Sequence, residues 1–223
     1  MSRQSPKSNL FEQLARIGQA LSSGPRLELL ELLAQGERSV DVLAKMTGLS
    51  VANTSRHLQQ LRHAGLIVPR KKSQFVCYRL AGDEVVRLLY ALGAVGEAYS
   101  AEVERLIKTF LAGKDAFEPV PAQEVLERAS KGLVTVLDVR PPEEYAAGHV
   151  PGAINIPLPE IEKRLREIPS GREVVAYCRG PYCLMAYEAV AFLRKKGRKA
   201  RRLQDGMPEW RLRGLPVEGE SLI

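Results

Sequence analysis

The residues best suited to chemistry lie in one short segment, Cys178-Arg179-Gly180-Pro181-Tyr182-Cys183. The apolar residues before it predict a buried strand over residues 173–177, and the residues after it predict a helix. Open α/β sheets bind ligands at the carboxyl ends of their strands. A thiol at such a strand end, above a helix N-terminus and beside an arginine, is expected to be a nucleophilic thiolate, and the loop amides can hold an anion. Cys178 is therefore the candidate nucleophile; the alternative is a buried, inert cysteine.

The C-terminal half of the chain alternates helix and strand patterns, which is typical of an α/β fold with a mainly parallel sheet. Strands are predicted over residues 134–138, 153–156, 173–177 and 200–203. Helices are predicted over residues 122–131, 161–168, 184–196 and 208–213. This order brings the loop that follows residue 177 to the end of the sheet where ligands bind.

Four pieces of sequence in this half occur together in one known family. They are Leu137-Asp138-Val139-Arg140, the segment from Glu144 to Pro157, the loop from Cys178, and Gly206-Met207-Pro208-Glu209-Trp210. Residues 118–218 therefore resemble the rhodaneses, which are sulfurtransferases. The resemblance implies that Cys178 attacks a sulfane sulfur donor, such as thiosulfate or a persulfide, and carries the sulfur as a cysteine persulfide. It also implies that Arg179 helps to hold an anionic donor, that Asp138 and Arg140 support the loop, and that His149 and Trp210 are structural.

The loop departs from an ordinary rhodanese loop at two positions. Pro181 removes one amide donor from the backbone cradle, and Cys183 stands where arginine or threonine is usual. A persulfide on Cys178 could be attacked by Cys183, which would form an internal disulfide and release sulfide, as in a redox sensor. Packing against the helix is the alternative role of Cys183. Phosphatases and arsenate reductases of this fold keep an arginine six residues after the nucleophile, and Leu184 at that position disfavours both activities.

The N-terminal half shows four helical patterns followed by a basic hairpin. The helices are predicted over residues 10–21, 25–36, 39–46 and 51–63. A short third helix, a tight turn at Gly48 and a longer fourth helix capped by Ser50 form a helix-turn-helix pattern. Strands over residues 67–70 and 75–80 flank the tip Lys71-Lys72-Ser73-Gln74, so this hairpin is predicted to be a wing.

The fourth helix separates into a buried face and an exposed face. Its predicted inner side holds Thr54, Leu58, Leu61 and Gly65. The residues expected to contact DNA are Ser50, Asn53, Arg56, His57 and Gln60 of the helix and Arg70, Lys71 and Lys72 of the wing. Asparagine and glutamine can read adenine edges, arginine can read guanine, and the cations of the wing suit phosphates. A polar face that contacts only solvent is the alternative.

The stretch from Leu49 to Ile67, with its Ser-Arg-His-Leu core and its Leu-Arg-x-Ala-Gly-Leu exit, resembles the recognition helix of the ArsR/SmtB family. The resemblance spans residues 10–112 and implies a dimeric winged-helix repressor that releases DNA when it senses an inducer. The family's arsenic and zinc sites do not carry over, because residues 37–43 contain no cysteine and residues 83–96 contain no histidine. A fifth helix from Asp83 to Gly113 carries an apolar stripe that is expected to form the dimer interface.

The positive charge of the chain is concentrated in its first half. The 223 residues carry a net charge of +7; residues 1–114 hold 16 Lys+Arg against 10 Asp+Glu, and residues 115–223 hold 17 against 16. This distribution fits a DNA-binding half beside a nearly neutral half.

Three cysteines are too few for a disulfide framework, and Cys77 is expected to pack in the wing. Because no apolar run suits a membrane span and the start is polar, a cytoplasmic protein without membrane contact is expected.

The sequence thus predicts a multidomain chain. An all-α-rich winged helix-turn-helix domain at residues 1–113 is followed by a linker at residues 114–119 and an α/β rhodanese-like domain, with a mainly parallel sheet, at residues 120–218. The predicted function is a homodimeric DNA-binding repressor whose rhodanese domain senses or handles sulfane sulfur or redox state through Cys178, without a metal or other cofactor. Its expected partners are a double-stranded DNA operator and a small sulfur donor. One alternative is a thiosulfate or persulfide sulfurtransferase with an independently acting DNA-binding domain, and another is a degenerate rhodanese that only binds a partner.

Overall fold

The structure is a computed structural model that describes residues 5–72, 75–109 and 118–219. Contacts divide the chain into two compact units, Met1–Leu89 and Tyr90–Ile223. The predicted linker at residues 114–119 lies mostly outside the described residues, which resume at Glu118. Within the described ranges, no helix is both long enough and apolar enough to cross a membrane.

The first unit is a winged helix-turn-helix fold. Its helices are α1 (Pro6–Leu21), α2 (Gly24–Ala34), α3 (Val40–Thr47) and α4 (Val51–His63). Its strands are β1 (Arg38–Ser39), β2 (Ile67–Lys72) and β3 (Phe75–Leu80), which form an antiparallel sheet in the order β1-β3-β2. The predicted helices and hairpin are confirmed. The sequence does not indicate β1, because two residues are too few to show the alternation of a strand.

The turn between α3 and α4 follows from its residues. Gly48 ends α3 with a φ of 69°, a left-handed conformation that glycine adopts without steric cost. The hydroxyl of Ser50 then accepts a hydrogen bond from the backbone N of Asn53 at 3.2 Å and caps α4. The two caps fix where the second helix of the helix-turn-helix begins.

The hydrophobic core of the first unit lies between its helices and its sheet. Leu58 and Leu61 of α4 are fully buried in it. Together with the buried Thr54 they form the inner side of α4, as predicted. Gly65, which was expected on the same side, is exposed; its φ of 76° places it beyond the helix as a C-terminal glycine.

The structure replaces the long fifth helix of the prediction with two helices. Helix α5 (Asp83–Tyr99) ends before Ser100, and α6 (Ala101–Ile107) begins after it. The hydroxyl of Ser100 accepts a hydrogen bond from the backbone N of Val103 at 3.4 Å, so this serine caps a new helix. Residues 110–113 of the predicted helix lie outside the described residues.

The remainder of the second unit is an α/β layer. Its strands β4 (Val134–Asp138), β5 (Ile154–Asn155), β6 (Glu173–Tyr177) and β7 (Ala200–Arg202) form a sheet in the order β5-β4-β6-β7. Its helices are α7 (Ala122–Ser130), α8 (Pro142–Ala146), α9 (Leu184–Lys195) and α10 (Met207–Leu212). The strand pairings of this sheet are parallel, which confirms the predicted fold class.

Strand β6 is central and is covered on both faces. Its residues Val174 and Ala176 belong to one buried cluster, which includes the inner side of α9. Val175 and Tyr177 belong to the opposite cluster, which includes residues of α7 and α10. A parallel strand covered on both faces reads as a continuous apolar run, which is why the sequence indicates it clearly. The residue that follows β6 is therefore held from two sides.

A helix predicted over residues 161–168 is absent from the described structure. The chain forms two short 3-10 turns there, Leu158–Glu160 and Leu165–Glu167. Ile161 and Ile168 are nevertheless buried in the core cluster that includes α9. Pro157 is the N-cap residue of the first turn, Pro159 lies within it, and Pro169 follows the second turn.

Candidate functional site

Strand β6 positions Cys178 at the carboxyl end of the sheet. Cys178 directly follows Tyr177 and is 2% exposed. Its carbonyl oxygen accepts a hydrogen bond from the backbone N of Met207 at 3.2 Å, which ties the start of the loop to α10. The candidate nucleophile thus lies at the end of a central parallel strand, where the sequence predicts it.

The second thiol of the loop is joined to the first. Cys183 precedes α9 as its N-cap residue, and it forms a disulfide with Cys178. The two Cα atoms lie 6.5 Å apart, within the range that disulfides span. Cys77 is a free, half-buried cysteine in β3. In the part of the chain that the structure describes, no group of three or more His, Cys, Asp or Glu side chains is placed to hold a metal ion.

The side chain of Arg179 is bonded to a carboxylate of the same domain. Its Nε lies 3.2 and 3.1 Å from the two carboxylate oxygens of Glu144, and its Nη2 donates to one of them at 2.8 Å. Glu144 is fully buried in α8. Sequence reasoning assigned no role to Glu144, although it lies in a segment that carries the rhodanese resemblance. A lone glutamate in a five-residue helix has no periodicity that would mark it as buried.

The predicted support residues Asp138 and Arg140 form a fully buried ion pair. Arg140 also donates a hydrogen bond to the carbonyl oxygen of Gly148 at 2.9 Å. Burial lowers the pKa of Arg140, but the hydrogen bonds and charge of Asp138 outweigh it, so the pKa of Arg140 is raised and its guanidinium stays protonated. The guanidinium carbon lies 5.4 Å from the ring centroid of Tyr177, the residue before Cys178. Asn155 donates to the carbonyl oxygens of both paired residues, a contact that the sequence did not indicate.

Gly206 lies against the backbone of the loop. Its amide donates a hydrogen bond to the carboxylate of Glu209 at 2.9 Å. A Cβ atom at this position would lie 2.4 Å from the carbonyl of Arg179 and from the backbone N of Gly180. The sequence marks Gly206 only as part of a motif, since its contact with the loop is long-range. The structure adds it to the residues that shape the site.

The Tyr182 side chain contacts α5 within the second unit. Its hydroxyl donates a hydrogen bond to the carboxylate of Glu97 at 2.5 Å. The same oxygen lies 2.6 Å from the point where a Cβ on Gly93 would be, so a side chain at this position would displace the Tyr182 hydroxyl. Burial raises the pKa of Tyr182, and the Glu97 hydrogen bond raises it further. The phenol therefore stays protonated and able to donate at neutral pH.

The outer face of α4 is polar and exposed, as predicted. Asn53 and Arg56 are exposed, and the side-chain oxygen of Gln60 accepts a hydrogen bond from Arg26 of α2 at 2.6 Å. Arg26 was not among the predicted site residues. Burial lowers the pKa of His57, and the positive charges of Arg26 and Arg56 lower it further, so His57 is neutral at pH 7.

The wing carries exposed cations on β2. Arg70, Lys71 and Lys72 are all exposed, and Arg70 lies 3.9 Å from the carboxylate of Glu37. Strand β2 extends to Lys72, so both lysines lie in the strand instead of the hairpin tip. The rest of the predicted tip, Ser73 and Gln74, lies outside the described residues.

Comparisons with known proteins match both halves of the chain. The family model described as "Bacterial regulatory protein, arsR family" matches residues 23–68, and the model of the rhodanese-like domain matches residues 121–213. The HTH-type transcriptional regulator Rv0324 of Mycobacterium tuberculosis is 46% identical over 212 residues, which cover 95% of this chain and 93% of that protein. A protein of Allochromatium vinosum named Sulfurtransferase is 38% identical over 85 residues, which cover 38% of this chain and 78% of that protein.

Solved structures resemble each half separately. The homodimeric winged helix-turn-helix DNA-binding domain Mb0332 of Mycobacterium bovis is 40% identical and covers 46% of this chain and 95% of its own, with a TM-score of 0.42. A rhodanese-related protein of Thermoplasma volcanium is 27% identical and covers 47% of this chain and 100% of its own, with a TM-score of 0.42. Residues 23–68 match the arsR-family model, and a transcriptional regulator is 46% identical over 95% of this chain. The chain therefore belongs to the ArsR family of DNA-binding transcriptional regulators and carries a C-terminal rhodanese-like domain.

Proposed function

We propose that this regulator is a homodimeric repressor whose affinity for operator DNA depends on the sulfur and oxidation state of Cys178 and Cys183. The observation that carries the proposal is the Cys178–Cys183 disulfide, in a loop that starts at the carboxyl end of β6. Sulfur carriage needs only one thiol. A second thiol, held with its Cα 6.5 Å from that of the first, suits a switch between reduced and oxidised states.

The chemistry at this pair consists of two exchange steps. In the reduced protein, the Cys178 thiolate attacks the sulfane sulfur of a small donor such as thiosulfate or a persulfide. The S–S bond of the donor breaks, and the leaving group departs with its electron pair. The Cys183 thiolate then attacks the Sγ atom of Cys178, which forms the disulfide and releases the transferred sulfur as hydrosulfide. The two thiols supply the two electrons that reduce the sulfane sulfur, and a dithiol reductant later restores them.

Tyr182 supports a connection from the loop to the dimer interface. It lies between the two cysteines in sequence, and its hydroxyl is bonded to Glu97 of α5. Helix α5 also exposes apolar side chains, including Tyr90 and Val95, which suit the dimer interface that the family resemblance implies. Movement of the loop would therefore change the pairing of α5 in the dimer. A coupling of about 1–3 kcal/mol changes DNA affinity about five- to 150-fold.

Operator DNA is the proposed partner of the first unit. The outer face of α4, with Asn53 and Arg56, suits base edges in the major groove, and the cations of the wing suit phosphates. A dimer would place its two α4 helices in successive major grooves about one turn apart. Because this DNA lies in the cytoplasm, we propose that the protein works there.

A second candidate function is a sulfurtransferase whose DNA-binding half acts independently. The match of residues 121–213 to the rhodanese-like model and the 38% identity to a protein named Sulfurtransferase favour it. High turnover that depends on Cys178, together with DNA affinity that is insensitive to persulfides, would support this candidate. Pro181 and Cys183 favour the sensor instead, because they remove an amide donor from the loop and add a resolving thiol.

The sensor function is tested by mass spectrometry of the reduced full-length protein beside a DNA-binding titration. The DNA is the region upstream of its own gene, and the reagents are polysulfide, thiosulfate and peroxide. We expect polysulfide to form the Cys178–Cys183 disulfide and to weaken DNA binding by about fivefold or more. Cys178→Ser should lose both responses, whereas the control Cys77→Ser should keep them. Unchanged DNA affinity after polysulfide, or a wild-type response of Cys178→Ser, contradicts the proposal.

A further inference from the structure

Two arginines of this domain are each already bonded to a buried carboxylate: Arg179, which follows Cys178 in the chain, and Arg140, which lies against the ring of Tyr177. Arg179 contacts both oxygens of Glu144, at distances of 2.8 to 3.2 Å. Arg140 contacts both oxygens of Asp138 and is fully buried. A guanidinium that is paired in this way has its charge balanced locally. Neither arginine therefore offers a full positive charge to an anionic sulfur donor.

Further carboxylates lie around the same loop. Glu97 accepts the hydrogen bond of the Tyr182 hydroxyl. Glu209 accepts a hydrogen bond from Gly206, the glycine that lies against the loop backbone. Both carboxylates add to the effect of burial in raising the pKa of Tyr182, so their negative charge is felt at the loop. The negative charges of Glu97 and Glu209 would repel an approaching dianion.

The loop itself is also a poor cradle for an anion. Pro181 has no N–H to donate. The position of Cys183, where rhodaneses carry arginine or threonine, supplies no cation here. The exposed side chains beside it, Tyr182 and Leu184, are largely apolar. An apolar rim favours a donor that carries little charge and is easily dehydrated.

Building on the sulfur-sensing function proposed above, we propose that the donor for Cys178 is a small thiol persulfide, R–S–SH, and not thiosulfate. Thiosulfate carries two negative charges, whereas the S–S group of a thiol persulfide carries at most one and carries none in its protonated form R–S–SH, the form that a thiolate attacks. The Cys178 thiolate attacks the outer sulfur, and the S–S bond of the donor breaks. The R–S⁻ anion leaves with the electron pair, and the proton stays on the transferred sulfur. The products are Cys178–S–SH and R–S⁻, so atoms and charge balance.

The test compares Cys183→Arg with Cys183→Ser in the full-length protein. Both variants lack the second thiol, so a persulfide on Cys178 accumulates and can be measured by mass spectrometry. They differ in whether residue 183 carries a cation. Each reduced variant is treated with thiosulfate or with cysteine persulfide. Because the two donors differ in intrinsic reactivity, the result is the ratio of the thiosulfate rate to the persulfide rate in each variant.

We expect this ratio to be about ten- to hundredfold higher in Cys183→Arg than in Cys183→Ser, because hydrogen bonds to charged groups have about that effect. Glu144→Gln removes the carboxylate from Arg179 and should raise the ratio in the same direction. The matched control Glu143→Gln, which removes an exposed charge from the same helix, should leave the ratio unchanged. The same ratio in Cys183→Arg and Cys183→Ser overturns the donor assignment.

A measurement on the unmodified protein does not depend on the folding of any variant. Salt screens the repulsion between the carboxylates around the loop and a charged donor. We therefore expect the reaction of the reduced protein with thiosulfate to accelerate as KCl rises from about 20 to about 200 mM, while the reaction with cysteine persulfide changes little. A thiosulfate rate that falls with salt overturns the assignment but leaves the sensor function intact. If neither donor modifies Cys178, the sensor function and the donor assignment both fail.

Discussion

Gly206 lies so close to the backbone of Arg179 that no side chain fits on the α-carbon of Gly206. A Cβ at Gly206 would lie 2.4 Å from the carbonyl carbon and oxygen of Arg179, and these are backbone atoms that cannot rotate away. The next residue, Met207, donates its amide to the carbonyl oxygen of Cys178. The start of α10 therefore packs against the loop and limits its movement. The position of Cys178 thus depends on Gly206, which lies 28 positions further along the chain.

Gly206→Ala should therefore displace the loop without disturbing the first unit. We expect persulfide formation on Cys178, followed by mass spectrometry, to slow by about tenfold or more, since misplacement of a reacting group by about 1 Å has large effects. DNA affinity of the reduced protein should remain that of the wild type. The control is Gly18→Ala in α1, where nothing lies within 4 Å of the added Cβ. Equal rates in the two variants would show that the loop does not need this contact.

The contact between Tyr182 and Glu97 should carry the response from the loop to α5. Tyr182→Phe keeps the ring but removes the hydroxyl that donates to Glu97 at 2.5 Å. We expect this variant to form the Cys178–Cys183 disulfide at the wild-type rate but to show a smaller change in DNA affinity on oxidation. The measurement is a DNA titration of the reduced and oxidised forms of each protein. Tyr99→Phe, an exposed tyrosine of α5, is the control. A full wild-type response in Tyr182→Phe would exclude this route.

Arg56 should contribute to the choice of operator sequence. It is exposed on the outer face of α4, where an arginine can bind guanine through two hydrogen bonds. Arg56→Ala should weaken operator binding by about 1–3 kcal/mol and reduce the preference for operator over random DNA. Arg62→Ala is a matched control, because Arg62 is also exposed but lies on a different side of the same helix. Equal losses in both variants, or equal losses on operator and random DNA, would indicate a nonspecific charge effect.

His57 should make DNA binding depend on pH. Burial and two nearby arginines lower its pKa, so it is neutral in the free protein at pH 7. Phosphates of bound DNA would raise its pKa, and binding would then take up a proton. The sign follows: affinity should rise as the pH falls from about 8 towards about 6, with at most about tenfold per pH unit for one proton. His57→Gln should lose this rise, whereas His63→Gln, at the exposed end of the same helix, should keep it. An unchanged pH profile in His57→Gln would contradict the assignment.

Local patterns in the sequence explain what could be predicted. The helical period of α4 places Thr54, Leu58 and Leu61 on its buried side, and the structure agrees. The apolar run of β6 identifies a strand covered on both faces, and this strand places Cys178 directly after its carboxyl end. Where two local signals compete, the prediction is less accurate. The apolar stripe of the fifth helix runs across Ser100, whose capping hydrogen bond ends one helix and starts another.

Contacts between distant residues explain what could not be predicted. Glu144 and Arg179 are separated by 35 positions, and Arg26 and Gln60 by 34. Each pair depends on how whole elements pack, and no local period reveals it. The consequence for the site is specific. The rhodanese resemblance implies that Arg179 holds an anionic donor, whereas in the structure its guanidinium is bonded to Glu144, and the proposed preference for a thiol persulfide rests on this pair.

Removing one partner of the buried pair of Asp138 and Arg140 should destabilise the second unit far more than removing one partner of an exposed pair. Asp138→Asn keeps the shape of the side chain but removes the charge that balances a fully buried guanidinium. Leaving such a charge unpaired costs about 3–5 kcal/mol. Glu127→Gln is the control, because it removes an exposed pair with Lys131, and such pairs contribute about 0–1 kcal/mol. Urea unfolding measures both losses. If Asp138→Asn unfolds the second unit no more easily than Glu127→Gln does, the pair would be dispensable for stability, and its proposed support of the Cys178 loop would need another physical basis.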